Sequence, residues 1–285
     1  MRRLLLIVLT LVVMVGAPPA QAAGRVHVLA RGAALHGANG LAFDGADRLH
    51  IASVGGREIV VMDARNGAIL DRYGPEQGVE GPDDLAFGPD GALYWTSLFS
   101  GAVGRRAPDG TTSTVAQLPP GANAIAFSDD GRLFVALDFL GDALYEVDPS
   151  GAQPPRLIAE NLGGLNAFDW GPDGALYGPL YFRGQVARVN VDTGAITPIA
   201  DGFGLPVAAK FDARGRLHVL DQLSGEVVRV DLTNGHKQAI ARLSPGLDNL
   251  AFDSRGRLFV SSNHDGFVAE VKRDDDVRIV SGGGM

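Results

Sequence analysis

The sequence predicts an all-β protein, a six-bladed β-propeller with four antiparallel strands per blade, preceded by a cleaved signal peptide. Three observations carry this. One motif is written six times: NGLAFDGADRLHIAS (39 to 53), DDLAFGPDGALYWTS (83 to 97), NAIAFSDDGRLFVAL (123 to 137), NAFDWGPDGALYGPL (166 to 180), VAAKFDARGRLHVLD (207 to 221) and DNLAFDSRGRLFVSS (248 to 262). Its anchors Phe43, Phe87, Phe127, Trp170, Phe211 and Phe252 recur every 40 to 44 residues, the period of a propeller blade. Past the leader, no stretch carries helical periodicity.

The elements follow in order. Met1-Arg2-Arg3, an apolar run from Leu4 to Val15 and the small-residue stretch Ala20-Gln21-Ala22 read as a signal peptide over residues 1–22. The run is about 12 residues long, whereas a bilayer core needs about 20. Residues 23–285 are then one domain, exported to the periplasm or secreted, with no membrane attachment after cleavage. The chain has no cysteine, which removes disulfides, thiolate nucleophiles, thiolate metal sites and a lipidated cleavage site together. Its net charge is −8, and −10 once Arg2 and Arg3 leave with the signal. An acidic shell disfavours nucleic acid and anionic membranes as partners. A small molecule bound by a monomer is the expectation.

Each repeat opens with a short strand, turns at a glycine-containing tetrapeptide such as Gly88-Pro89-Asp90-Gly91 and returns in an alternating second strand. A third strand follows, as in Glu58 to Asp63 or Gln185 to Asn190, then a second glycine turn and a fourth strand. Two segments compete to complete the set of fourth strands, Arg25 to Ala30 and Val277 to Ser281. One of them is expected to close the ring against the opposite terminus.

Repeats allow equivalent positions to be compared within one chain. His50 and His218 fill the slot held elsewhere by Tyr94, Phe134, Tyr177 and Phe259, which marks them as packing groups between blades. Trp95 and Trp170 read as core by the same comparison. Four residues before each anchor stand Asn39, Asp83, Asn123, Asn166, Val207 and Asp248. The first strands of a propeller surround its channel, so these heads converge at one mouth. The second strands exit toward it, carrying Asp138, Tyr181, Asp221, Asn263 and His264. Oxygen-only donors of this kind suit calcium or a similar divalent cation. Zinc would call for closely spaced His or Cys. The other reading of the ring is local capping of backbone groups at strand starts. One residue before the anchor, alanine gives way to Asp169 and Lys210 in consecutive blades, which suggests an ion pair near the channel.

With these heads in view, the chain resembles the superfamily of gluconolactonases, senescence marker protein (regucalcin), paraoxonases and strictosidine synthase. The resemblance implies an ion in the channel, with Asp83-Asp84, Asn166 and Asp248-Asn249 at the positions of family ligands and Asn39 and Asn123 as further candidates. Val207 departs from it, standing where lactonases carry another Asn. Strictosidine synthase implies that the fold also works without the ion. GPDGALYWTSLFSGAVGRRAPDG (88 to 110) is similar to blades of virginiamycin B lyase and of NHL-repeat proteins, although the lyase has seven blades and six are counted here. The expected activity is therefore metal-assisted hydrolysis of a lactone or related ester by water. His264 and His36 are the candidate bases, because neither occupies a packing slot. A non-catalytic binding propeller is the alternative. No Gly-x-Ser-x-Gly elbow, phosphate-binding loop or His-Glu-x-x-His motif is present.

Overall fold

The computed structural model describes residues 34–272 and 277–281, so the leader and Arg25 to Ala30 lie outside the described residues. The described residues form six sheets of four antiparallel strands, each built from consecutive strands in simple up-and-down order. The first strands are Leu41–Phe43, Pro82–Phe87, Ala122–Phe127, Asp169–Trp170, Pro206–Phe211 and Leu247–Phe252. Second strands are almost wholly buried, as in Leu133–Leu137 and Leu258–Ser262, because both faces lie against neighbouring blades. Fourth strands such as Ala68–Tyr73 and Lys237–Arg242 form the exposed rim.

One aromatic contact is repeated around the ring. The slot residue of each second strand packs on the anchor of the next blade: His50 on Phe87, Tyr94 on Phe127, Phe134 on Trp170, Tyr177 on Phe211 and His218 on Phe252. Phe259 on Phe43 closes the circle, and all six pairs have ring centroids 4.9 to 5.2 Å apart. Tilted and edge-on aromatic pairs contribute about 0.5–1.5 kcal/mol each beyond their buried area. His50 and His218 are thereby packing groups, each also bonded through Nε2 to a carboxylate of its own blade, Asp44 at 3.2 Å and Asp212 at 3.1 Å.

The two ends of the described chain adjoin at ring closure, and Arg25 to Ala30, one of the two candidate closing strands, lies outside the described residues. Val277–Ser281 is the fourth strand of the sixth blade, paired with Phe267–Val271 of the same blade. Among the described residues no strand is exchanged between the termini. Blades one and six instead meet face to face, and side chains fasten them. Arg278, ion-paired with Glu270, donates to the carbonyls of Ala64 and Arg65 at 2.9 and 2.7 Å. Ser254 reaches Asp47, and Ser261 Oγ donates to the Asn39 carbonyl at 2.6 Å.

Candidate functional site

The heads of the first strands gather at one end of the channel because every blade places its first strand innermost and in the same direction, and a backbone irregularity decides which of their side chains face it. In blade two the pairing steps from Pro82↔Ser97 to Leu85↔Trp95, and in blade six from Leu247↔Ser262 to Leu250↔Val260. Each step places one extra residue on the first strand, a β-bulge, which breaks strict alternation and leaves an amide without its ladder partner. Side-chain hydroxyls take those amides: Asp84 N–H donates to Thr96 Oγ1 at 3.1 Å and Asn249 N–H to Ser261 Oγ at 3.0 Å. The other blades carry Ala52, Ala136, Pro179 and Leu220 at that slot. Consecutive polar residues can therefore both serve the channel in blades two and six.

The outer layer holds Asn39, Asp83 and Asp248. Asn39 Nδ2 donates to Asp83 Oδ1 at 3.0 Å, while Asn39 Oδ1 is buried with no partner. Burial pushes the Asp83 carboxyl well above the usual carboxylate range, and the neighbouring Asp248 and Asp84 push it further. Asp248 keeps part of its surface exposed, yet its surroundings and the charge of Asp84 raise it to about 7. Asp138 is fully buried with Oδ2 unpartnered, and burial lifts it to about 6.

A deeper layer lies behind them. Asn249 Nδ2 donates to Asp84 Oδ1 at 2.9 Å, tying blade six to blade two across blade one. Lys210 Nζ donates to the Phe168 carbonyl at 2.9 Å, and its charge opposes the burial-driven rise of both Asp84 and Asp169. The expected Asp169–Lys210 ion pair is not a contact pair. Asp169 instead accepts the amides of Trp170 and Phe211 at 2.9 and 2.8 Å, amides that lie on the unpaired channel edge of their innermost strands.

The remaining predicted residues divide. Asn123 is buried in the ring and its carbonyl accepts from Thr96 Oγ1. Asn166 is buried too, its Oδ1 accepting from the amide of Ala167 at 2.7 Å. Val207 is a buried core residue. Asp221 is a loop clasp, since its two oxygens accept from the amides of Gly204, Leu205, Leu223 and Ser224. His264 is exposed, with Nδ1 2.9 Å from Asp265 Oδ1. His36 lies in the loop before Asn39 and gives its carbonyl to Ser53 Oγ. The two loops adjoin at the ring closure: Ala38 N–H donates to the Ser262 carbonyl at 3.3 Å, and a Cβ on Gly37 would stand 3.0 Å from Asn263 Oδ1.

The donor set fits a hard cation. Among the described residues no three His, Cys, Asp or Glu side chains are grouped to hold a metal by themselves. Carboxamide oxygens have to share the work, and the unpartnered Asn39 Oδ1 beside two mutually repelling carboxylates supplies that chemistry. Sequence reading missed Gly40, Thr96 and Ser261. The signal was available, since Thr and Ser each break a run of apolar residues at one repeat slot.

Clefts also open between blades at the opposite end, one of them about 520 Å³ and lined by His50, Tyr73, Phe87 and Arg106. Similar clefts stand at Tyr94 with Phe127 and at His218 with Phe252. They stand at three of the six repeated aromatic contacts, at equivalent positions of the repeat.

No family model matches the chain. A curated virginiamycin B lyase of Nocardia farcinica is 34% identical over 133 residues, which is 45% of this chain and 46% of that protein. The match thus spans about half of the relative. Among solved structures, a gluconolactonase of Xanthomonas campestris superposes with a TM-score of 0.66 at 18% identity, covering 82% of this chain and 85% of its own. Virginiamycin B lyase of Staphylococcus aureus gives 0.66 at 13%, covering 86% and 84%. These likenesses establish the propeller fold, and both classes named by the sequence reading appear among the neighbours. The lyase stands closer in sequence than its blade number suggested.

Proposed function

We propose that this chain is an exported, divalent-cation-dependent hydrolase of a lactone or related ester, acting at the channel mouth on a small molecule. The observation that carries the reading is that Asn39 bonds Asp83 and leaves its own Oδ1 buried without a partner, while the charge of Asp248 is near enough to push the Asp83 carboxyl upward. Asp83, Asp248 and Asn39 would hold the cation, with Asn123 and Asn166 in the same ring, and when bound it would polarise the ester carbonyl and stabilise the oxyanion. His264 takes the proton of the attacking water through Nε2, its Nδ1 being oriented by Asp265, and His36 is the second candidate on the adjoining loop. The absence of cysteine and of a serine elbow leaves water as the nucleophile.

A second reading is favoured by the partial identity to the Nocardia lyase: opening of a cyclic ester by elimination. One experiment separates the two. Sugar lactones, alkyl lactones, aryl esters and a streptogramin B are incubated in H₂¹⁸O with calcium, with magnesium and with chelator. Hydrolysis places ¹⁸O in the product carboxylate, whereas elimination leaves an alkene and no label. No turnover of any substrate would favour a binding propeller.

A further inference from the structure

Large apolar side chains are exposed at few places on the described surface, and most of them stand at the mouth. Phe99, Phe139, Leu140, Phe182 and Leu223 all follow the second strands of blades two to five, and Phe99 and Phe182 are 67% and 62% exposed. Aligned by repeat, the slot two residues past the second strand reads Gly55, Phe99, Phe139, Phe182, Leu223 and His264. It is apolar in four consecutive blades and changes only in the two that meet at ring closure. The result is a crescent around the acidic mouth, open on the side of His36 and His264.

Part of this crescent is built at a cost to the backbone. Phe139 has φ +58°, the left-handed region that a bulky side chain rarely occupies and that costs on the order of 1–3 kcal/mol. Asp138 holds it there: its Oδ1 accepts the Phe139 amide at 2.8 Å, and its carbonyl accepts the Leu140 amide at 2.6 Å. Phe139 then meets Tyr181 edge-on at 5.2 Å, and Tyr181 meets Phe182 at 4.9 Å. Such strain persists only where surrounding contacts impose it, and here it lifts an aromatic ring into solvent instead of burying it.

We propose that the crescent is a subsite for an apolar substituent, so that the substrate is a lactone or ester bearing an alkyl or aryl group and not a bare sugar lactone. This rests on the reading of the mouth as an ester-binding site. Continuity argues for one small amphiphile: Tyr181 joins the crescent to the channel, packing on Phe139 above while its phenol feels the charges of Asp138 and Asp248 below. Among the described residues, the crescent is the exposed apolar surface beside a polar head placed at Asp83 and Asp248.

The test measures binding without turnover, by calorimetry on the full chain with γ-lactams carrying butyl, hexyl or octyl groups. Affinity should rise by about fourfold per added methylene, the gain for moving one CH₂ out of water. Phe139→Gly, which suits the left-handed backbone and keeps the fold, and Phe182→Ser should flatten that dependence. Leu70→Ser, on the outer strand Ala68–Tyr73, should not. Affinity independent of chain length, or lost equally in Leu70→Ser, overturns the subsite. Lactams resist hydrolysis, so the two readings fail separately. Chain-length-dependent binding without any lactone turnover keeps the subsite and rejects the hydrolase, whereas turnover with flat binding does the reverse.

Discussion

Asp84 Oδ1 and Asn249 Nδ2 lie 2.9 Å apart, 165 residues removed in sequence and two blades removed in the ring. Gly40, in the blade between them, lets them meet. A Cβ at Gly40 would stand 2.5 Å from both Asp84 Cα and Asp84 Oδ1, and 2.7 Å from the Asp83 carbonyl. The slot of Gly40 is the slot of Asp84 and Asn249 in their own repeats, where the remaining blades carry Ala124, Ala167 and Ala208. Blade one thus gives up its side chain so that its two neighbours can join across it, and the same junction is where the ring closes.

That bond should be worth measurable stability. Asp84→Ala and Asn249→Ala are each expected to destabilise, and a double-mutant cycle read by chemical denaturation should return a coupling of about 1–3 kcal/mol. Gly40→Ala should lower the melting temperature by more than either, because the clash is with backbone. A melting temperature unchanged in Gly40→Ala would mean the layer is not closed in this way.

Calcium should stabilise the protein by mass action, with a melting temperature that climbs with its concentration and falls back in chelator. Asp83→Asn and Asp248→Asn should each abolish the shift. In chelator Asp248→Asn should itself be more stable than the parent near pH 8, because it removes one of two carboxylates that repel. Parent and variants responding to calcium alike would leave the ring as capping residues only.

Asp138 sets a pH dependence of definite sign. Its folded value of about 6 lies above its unfolded value, so the folded state binds the extra proton between roughly pH 4 and 6 and loses stability as pH rises through that window. Asp138→Asn should match the parent at pH 4 and exceed it at pH 8, while its side-chain oxygen still receives the Phe139 amide. Thermal melts at the two pH values check this. Glu146, held down to about 2 chiefly by bonding to Arg132, acts in the opposite sense: its contribution disappears as pH falls below about 4.5 toward 2.

The histidines should separate by role. His264→Ala is expected to leave the melting temperature unchanged, since the side chain is 70% exposed, and to lower turnover by about 10²- to 10⁴-fold if it is the base. His218→Phe should keep turnover, because Phe restores the ring that packs on Phe252. Loss of turnover in His218→Phe without unfolding, or full turnover in His264→Ala, would reverse these roles.

The sequence by itself determined the blade number, the strand order and the packing role of His50 and His218. Each follows from a repeat whose copies can be aligned, and local alternation and turn chemistry act over a few residues. It also placed Asn39, Asp83 and Asp248 in one ring, because the first strands of any propeller share an end. Only the tertiary structure decided which of those heads meet. Asp83 takes Asn39, Asp221 turns away to clasp its own loop, and Lys210 bonds a carbonyl instead of Asp169. Those choices depend on bulges that shift a strand by one residue and on the space left by a missing Cβ at Gly40. A one-residue shift changes which face a side chain serves, and whether two side chains then meet is settled by distances between blades that no single repeat encodes.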